Sequence, residues 1–190
     1  MLDSSYALVD NDFLSHALET RFDSEKLCTI LQAIFDVLDK QPVVHPWLAT
    51  YELITDNGLV LKVISENIIQ LASWEDIHAN QEEQKTYYAI LFKELYKKVY
   101  GISLSVPDVF TYSVKRQSLG ELHNITTCMI CGCNLILSDD SDSKRFKRII
   151  SQTAVCDFVV YNREELVERI RGLEGAPKRS DLKAFSHVAH

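Results

Sequence analysis

Short apolar runs alternate along this chain with longer stretches whose apolar residues recur at helical spacing, and that alternation most constrains the fold. Parallel strands cannot be joined by tight turns. They need crossovers, usually helical, so strand–helix alternation predicts an α/β domain with a mostly parallel sheet. The first run, Tyr6-Ala7-Leu8-Val9, reads as a buried strand delivering Asp10-Asn11-Asp12 at its C-terminal end. Leu27, Ile30, Leu31, Ile34, Phe35 and Leu38 follow at helical period and predict an amphipathic helix over 24–40, stopped by Pro42. Pro46 fits a first helical position and Asn57-Gly58 a stop, which predicts a helix over 46–56 with Glu52 in its middle.

Residues 59–73 read as a strongly apolar helix. Asn80 with Glu83 resembles a capping box opening a helix that runs to Tyr100 and Gly101. Residues 102–106 read as a strand, 121–131 as a helix closed by Gly132, and 134–138 as a strand. The last of these is followed by Asp139-Asp140-Ser141-Asp142 and a short basic helix over 143–150. A strand over 155–161 and a helix from Asn162 to Leu173, capped by Asn162 and Glu165, complete the pattern. Gly172 to Lys183 has the composition of a mobile tail. The expected organisation is one domain over 1–173, with an enlarged helical middle at 59–101 and a tail over 174–190.

The chain has 190 residues, 46% of them apolar and 25% charged, which is ordinary for a soluble globular protein. No apolar run approaches the ~20 residues of a membrane span, and Met1 to Asp12 carry acids where a secretory signal carries bases. A net charge of -7 excludes a whole-surface attraction to nucleic acid. Five cysteines without an export signal fit reduced thiols and a cytoplasmic location.

In open α/β sheets, ligands gather beyond the carboxyl ends of the strands. Two runs here end in acids, Asp10 and Asp12 on one and Asp139, Asp140 and Asp142 on the other. If those strands are neighbours, their carboxylates converge, and like charges held close need a cation or protons. Oxygen donors without His or Cys suit Mg²⁺ or Mn²⁺, and such an ion activates water and stabilises an in-line phosphoryl transition state. The competing reading is that these acids cap helices and turns. Lys144, Arg145, Lys147 and Arg148 follow the second cluster, with Lys115 and Arg116 nearby, and read either as a phosphate contact or as a solvated face. Tyr112 and Phe146 read as base-stacking candidates or as core. The Cys128, Cys131 and Cys133 cluster lacks a clear fourth zinc ligand and reads as packing. The apolar excess over 59–100, with Tyr87, Tyr88, Tyr96 and Tyr100, fits dimerisation or a protein partner, or simply a second helical layer.

Four pieces in order make the chain resemble the PIN-domain family of metal-dependent ribonucleases. They are Leu8-Val9-Asp10-Asn11-Asp12-Phe13-Leu14, Trp47-Leu48-Ala49-Thr50-Tyr51-Glu52-Leu53, Leu119-Gly120-Glu121-Leu122-His123, and Leu135-Ile136-Leu137-Ser138-Asp139-Asp140-Ser141-Asp142. The resemblance covers most of 6–173 and implies a three-layer α/β/α sandwich. It implies that Asp10, Glu52, Glu121 and Asp140 form the catalytic acids and hold Mg²⁺ or Mn²⁺, with Asp142 a further metal ligand. Ser138 and Asp12 would support them, and Lys144, Arg145, Lys147 and Arg148 would bind RNA. The implied activity is hydrolysis of RNA phosphodiesters, and the commonest small-protein role in the family is the toxin of a toxin–antitoxin pair, which an antitoxin holds as partner. The alternative is a catalytically inactive PIN-like module acting through its helical middle region.

Overall fold

The computed structural model describes residues 1–18, 22–53, 58–78, 81–114 and 118–187. Its centre is strand β1 (Tyr6–Val9), where Ala7, Leu8 and Val9 are wholly buried. A strand covered on both faces reads as an unbroken apolar run, which is what Ala7-Leu8-Val9 supplies. β2 (Gln41–Val44) lies on one side of β1 and β4 (Leu135–Leu137) on the other. β3 (Gln70–Leu71) and β5 (Val159–Tyr161) complete the order β3-β2-β1-β4-β5, and every pairing is parallel. The chain is therefore α/β with a five-stranded, all-parallel sheet.

The helices pack in two groups, an arrangement compatible with three layers. One group contains α1 (Asn11–Leu18), α2 (Ser24–Leu38), α4 (Gly58–Ser65), α9 (Arg163–Ile170) and α10 (Arg179–Ser186). The other contains α3 (Pro46–Tyr51), α5 (Trp74–His78), α6 (Glu82–Tyr100), α7 (Leu119–Cys131) and α8 (Ser141–Ile150). Helix α7 is the hub of this second group, and its first ten residues are all buried. It ends at Gly132 in the left-handed conformation, as α6 does at Gly101. The expected capping box on α9 is present: Asn162 accepts from Glu165 N, and Glu165 returns a bond to the Asn162 backbone.

Several expectations change. The helix over 24–40 ends at Leu38, because Asp39 turns left-handed and its N–H caps the last turn. Pro42 does not merely stop that helix but lies within β2, beside Ala7 and outside the stretch of β2 that pairs with β3. The helix over 46–56 ends at Tyr51, and Gly58 begins α4 instead of stopping a helix; residues 54–57 lie outside the described residues. Residues 59–73 divide into α4 and the edge strand β3, so part of the helical middle belongs to the sheet. Residues 102–106 form no strand. Helix α6 opens after Gln81 with no side-chain cap, and Asn80 lies outside the described residues.

The region 174–190, expected as a tail, carries α10. Leu182 and Phe185 are buried in the same apolar cluster as β1, and Phe185 meets Phe13 edge-on at 6.2 Å. The Gly-Pro-Lys composition of 172–178 precedes a short amphipathic helix whose two large apolar residues are enough to dock it.

Candidate active site

Residue Asp10 lies at the junction of β1 and α1, directly after the most buried strand. Its N–H donates to Leu137 O at 2.9 Å, which carries the β1–β4 pairing one residue further and sets Asp10 beside Ser138. Ser138 Oγ donates to Asp10 Oδ2 at 2.8 Å and lies 3.4 Å from Asp12 Oδ1. The same oxygen accepts from Asp140 N at 3.2 Å and from Ser143 Oγ at 3.0 Å. One buried hydroxyl thus ties the acids after β1 to those after β4. The condition for convergence, adjacency of the two acid-ended strands, is met.

Glu52 and Glu121 come from two helices that meet at Gly120. The α3 N-terminus is fixed by His45, whose Nδ1 accepts from Trp47 N at 3.0 Å, and by Pro46 in the first turn. Glu52 lies just past the end of this short helix, not in its middle. A Cβ at Gly120 would lie 2.4 Å from Leu48 Cδ2 and 3.1 and 3.3 Å from the two Glu52 carboxylate oxygens. The missing side chain therefore lets the first turn of α7 pack against α3 and brings Glu52 over Glu121.

The gathering of these side chains alters their titration. Burial, then Glu121, Asp12 and Glu52, hold the Asp10 carboxyl well above its ordinary range, although the Ser138 bond opposes this. Burial raises Asp12, with Asp139 and Asp140 adding to the effect. Burial with Asp12 and Asp140 pushes Glu52 up to about 7, and burial with Glu52, Asp140 and Asp12 pushes Glu121 up to about 8. Among the described residues, no ion pair reaches Asp10, Asp12, Glu52, Glu121 or Asp140.

Neighbouring acids go elsewhere. Asp139 accepts from Arg163 Nε at 2.6 Å and Arg163 N at 2.9 Å, and meets His16 Nδ1 at 3.0 Å. Arg163 is buried and also donates to the carbonyls of His16 and Phe185, so Asp139 anchors α1, α9 and α10 instead of facing the cleft. Asp142, expected as a metal ligand, has both oxygens engaged: Oδ2 accepts from Ser118 Oγ at 2.6 Å and Oδ1 pairs with Arg145 at 3.2 Å. That contact clamps the start of α8 to the start of α7. Asp140 caps α8, accepting from Asp142 N at 2.8 Å, so capping and convergence with the other acids are both true of it.

The basic helix is partly neutralised. Lys144 pairs with Glu165 at 2.5 Å, Arg145 with Asp142, and Lys147 lies 5.2 Å from the Phe158 ring centre. Arg148 is exposed, with no ion pair among the described residues. Phe146 is core, packed against Tyr100, and Tyr112 is half-buried with its carbonyl accepting from Trp47 Nε1. Lys115 and Arg116 lie outside the described residues. All five cysteines are free thiols, and burial pushes Cys131 up to about 11 and Cys133 up to about 12, which suits packing better than reactivity.

Sequence reasoning missed the layer behind the acids. Tyr88 Oη lies 2.8 Å from His123 Nδ1 and 3.2 Å from His45 Nε2, joining α6, α7 and the cap of α3. Burial lowers both imidazoles, His45 to about 3, so both are neutral. Asn124, wholly buried, points Nδ2 at Asp10 Oδ1 at 3.5 Å. The available signal was its position three residues after Glu121, on the same helix face.

The donor chemistry fits a hard divalent cation: oxygen only, several carboxylates, and no basic partner among the described residues. Among the described residues, no three His, Cys, Asp or Glu side chains stand close enough to enclose an ion as placed. No helix is long and apolar enough to cross a membrane. Comparison with family models, curated proteins and solved structures finds no match.

Proposed function

We propose that this chain is a PIN-like, three-layer, metal-dependent endoribonuclease. The observation that carries the reading is the convergence of Asp10, Glu52, Glu121 and Asp140 from separate parts of the chain, with no Lys, Arg or His paired to them among the described residues. The all-parallel order β3-β2-β1-β4-β5, with the acids beyond the carboxyl ends of β1 and β4, is where an open α/β sheet gathers its ligand. These four side chains would hold Mg²⁺ or Mn²⁺, with Asp12 beside them. The cation supplies water activation and neutralises phosphate charge. Ser138 fixes the orientation of Asp10 through its hydrogen bond, and Ser118 and Arg145 draw Asp142 away from ligation. Arg148, with Arg145 and Lys147 on the same helix, offers local positive charge to a phosphate backbone in an otherwise acidic protein. The cellular role that the resemblance implies is that of a cytoplasmic toxin restrained by an antitoxin.

A second reading is favoured by one observation, that the acids do not close around an ion as placed. It makes the chain an inactive interaction module, with Tyr87 and Ile90 exposed on α6 as its contact or dimer face.

The test is cleavage of single-stranded, structured and transfer RNAs with Mg²⁺, Mn²⁺ or chelator, using the native chain, Asp10→Asn and Asp140→Asn. Metal-dependent cleavage lost in both variants is the expected result. Absence of cleavage from folded native protein across the panel would favour the interaction module.

A further inference from the structure

Helix α7 presents two polar side chains to the acidic cleft, and only Glu121 belongs to the acid set already described. Asn124 follows three residues later on the same face. It is 0% exposed, reaches Asp10, and lies among α7 neighbours that are also buried. Its Nδ2 is 3.5 Å from Asp10 Oδ1, long for a hydrogen bond. That same Asp10 oxygen already takes Asn11 N at 3.1 Å, while Oδ2 takes Ser138. In this orientation the amide can donate to the ionised form of Asp10 that would ligate a cation, which the opposite flip could not do. The other end of the amide, Oδ1, is buried without a hydrogen-bond partner.

A buried amide with one end on an active-site acid and the other end unmatched is an expensive arrangement for packing alone. An unpaired buried acceptor is destabilising, and an apolar residue would fill the same space without that penalty. From this geometry we propose that Asn124 is a positioning residue for the cation site, holding Asp10 in its ligating orientation through Nδ2 and keeping Oδ1 for a polar group that enters the cleft with the cation. The proposal rests on the metal-site reading above. Within it, Asn124 and Ser138 brace the two oxygens of Asp10 from opposite sides, one from α7 and one from the end of β4. Among the described acids of the cleft, Asp10 is the most deeply buried. A carboxylate with no room to turn is one whose orientation outer contacts can set, and loss of such a contact commonly weakens metal binding by about 10–100-fold.

The experiment is calorimetric titration of the chain with Mn²⁺ alone, alongside thermal melting with and without Mn²⁺, for the native protein, Asn124→Ala and Asn124→Asp. Asn124→Ala is expected to bind Mn²⁺ about tenfold more weakly or worse. It should do so while keeping a cooperative metal-free melt. Asn124→Asp replaces the donor with a further carboxylate of the same shape. It is expected to melt lower without metal and to gain more from Mn²⁺ than the native chain does, which also covers the case in which the alanine variant does not fold. Native-like Mn²⁺ affinity in Asn124→Ala, or a native-like Mn²⁺ shift in Asn124→Asp, overturns the assignment and leaves the metal site standing. Absence of Mn²⁺ binding by the native chain removes the metal-site reading itself, and this inference with it.

Discussion

The fold should lose stability as pH rises through neutrality, and one side chain should carry much of that loss. Glu121 is 8% exposed, and burial together with Glu52, Asp140 and Asp12 raises its carboxyl from 4.5 to about 8. In the unfolded chain the same carboxyl ionises near its ordinary value. Between those two points the folded protein holds a proton that the unfolded chain has released. Stability therefore stands at its full value below about pH 4.5 and falls as pH rises towards about 8. At ~1.4 kcal/mol per pH unit, the interval sets a ceiling of about 5 kcal/mol. Glu52, raised to about 7, pulls in the same direction, but its half-exposed carboxyl contributes less once solvent screening is allowed for.

Urea unfolding of metal-free native protein and Glu121→Gln, at pH values from 4.5 to 8.5, measures this directly. Glutamine cannot titrate, so the two curves should coincide at the acid end. They should separate as pH rises, with the variant more stable by at least about 2 kcal/mol at pH 8.5. Adding Mg²⁺ or Mn²⁺ at pH 8.5 should restore the native protein and help the variant less; a cation at a hundred times its Kd adds about 2.7 kcal/mol. A gap that does not change with pH, or a native curve as flat as the variant's, would refute the claim that these carboxylates gather.

Four other expectations follow from named contacts. Gly120→Ala puts a Cβ 2.4 Å from Leu48 Cδ2 and against Glu52; overpacking of about 1–3 kcal/mol outweighs a helix-propensity gain of about 1 kcal/mol, so urea unfolding should show net destabilisation together with weaker cation binding. A variant that is more stable and binds cations normally contradicts the close approach. Tyr88→Phe strands His123 Nδ1 and His45 Nε2 in the core, at about 1–3 kcal/mol for each group, and an unchanged melting temperature would rule out that network. Arg163→Met leaves Asp139 and the carbonyls of His16 and Phe185 short of donors, which should cost about 3–5 kcal/mol by denaturant titration. Asp139→Asn should likewise lower stability without changing Mn²⁺ affinity, whereas Asp140→Asn should do the reverse.

Legibility in the sequence followed the range of the interactions concerned. β1 and β4 were readable because a buried parallel strand is an apolar run, and the acids at their ends were readable because nothing but chain order places them there. β2 was hidden by Pro42, which is normally evidence against an inner strand, and β3 is only two residues long. α1 was hidden because Asp10-Asn11-Asp12 reads as a turn, although Phe13, Leu14 and Ala17 keep a helical face. Glu52 and Glu121 could be paired only through the family resemblance, since their contact depends on Gly120 meeting Leu48 across two helices. Asp139 and Asp140 are indistinguishable as letters. They part because Arg163, contributed by the chain after β5, claims the first and leaves the second to cap α8 beside the cleft.

The raised carboxyls also fix what a cation must do on arrival. At pH 7 a carboxyl raised to about 8 is mostly protonated, and one raised to about 7 is half so, which makes protons and cation alternative occupants of the cleft. Binding a divalent ion must then release protons, because the ligating form is the carboxylate. Mn²⁺ titrations at pH 7 in buffers of different ionisation enthalpy should give apparent binding enthalpies that become more negative as the buffer's ionisation enthalpy rises, with a slope to which Glu121 and Glu52 alone contribute about 1.4 released protons per ion. At pH 9, above both raised values, the slope should fall towards zero, and apparent affinity should be higher than at pH 7. Glu121→Gln should reduce the pH 7 slope while Asp142→Asn leaves it, because Asp142 is already committed to Ser118 and Arg145. A heat independent of buffer at pH 7, with Mn²⁺ bound, would mean that the ion sits elsewhere on this acidic surface and that the buried acids keep their protons.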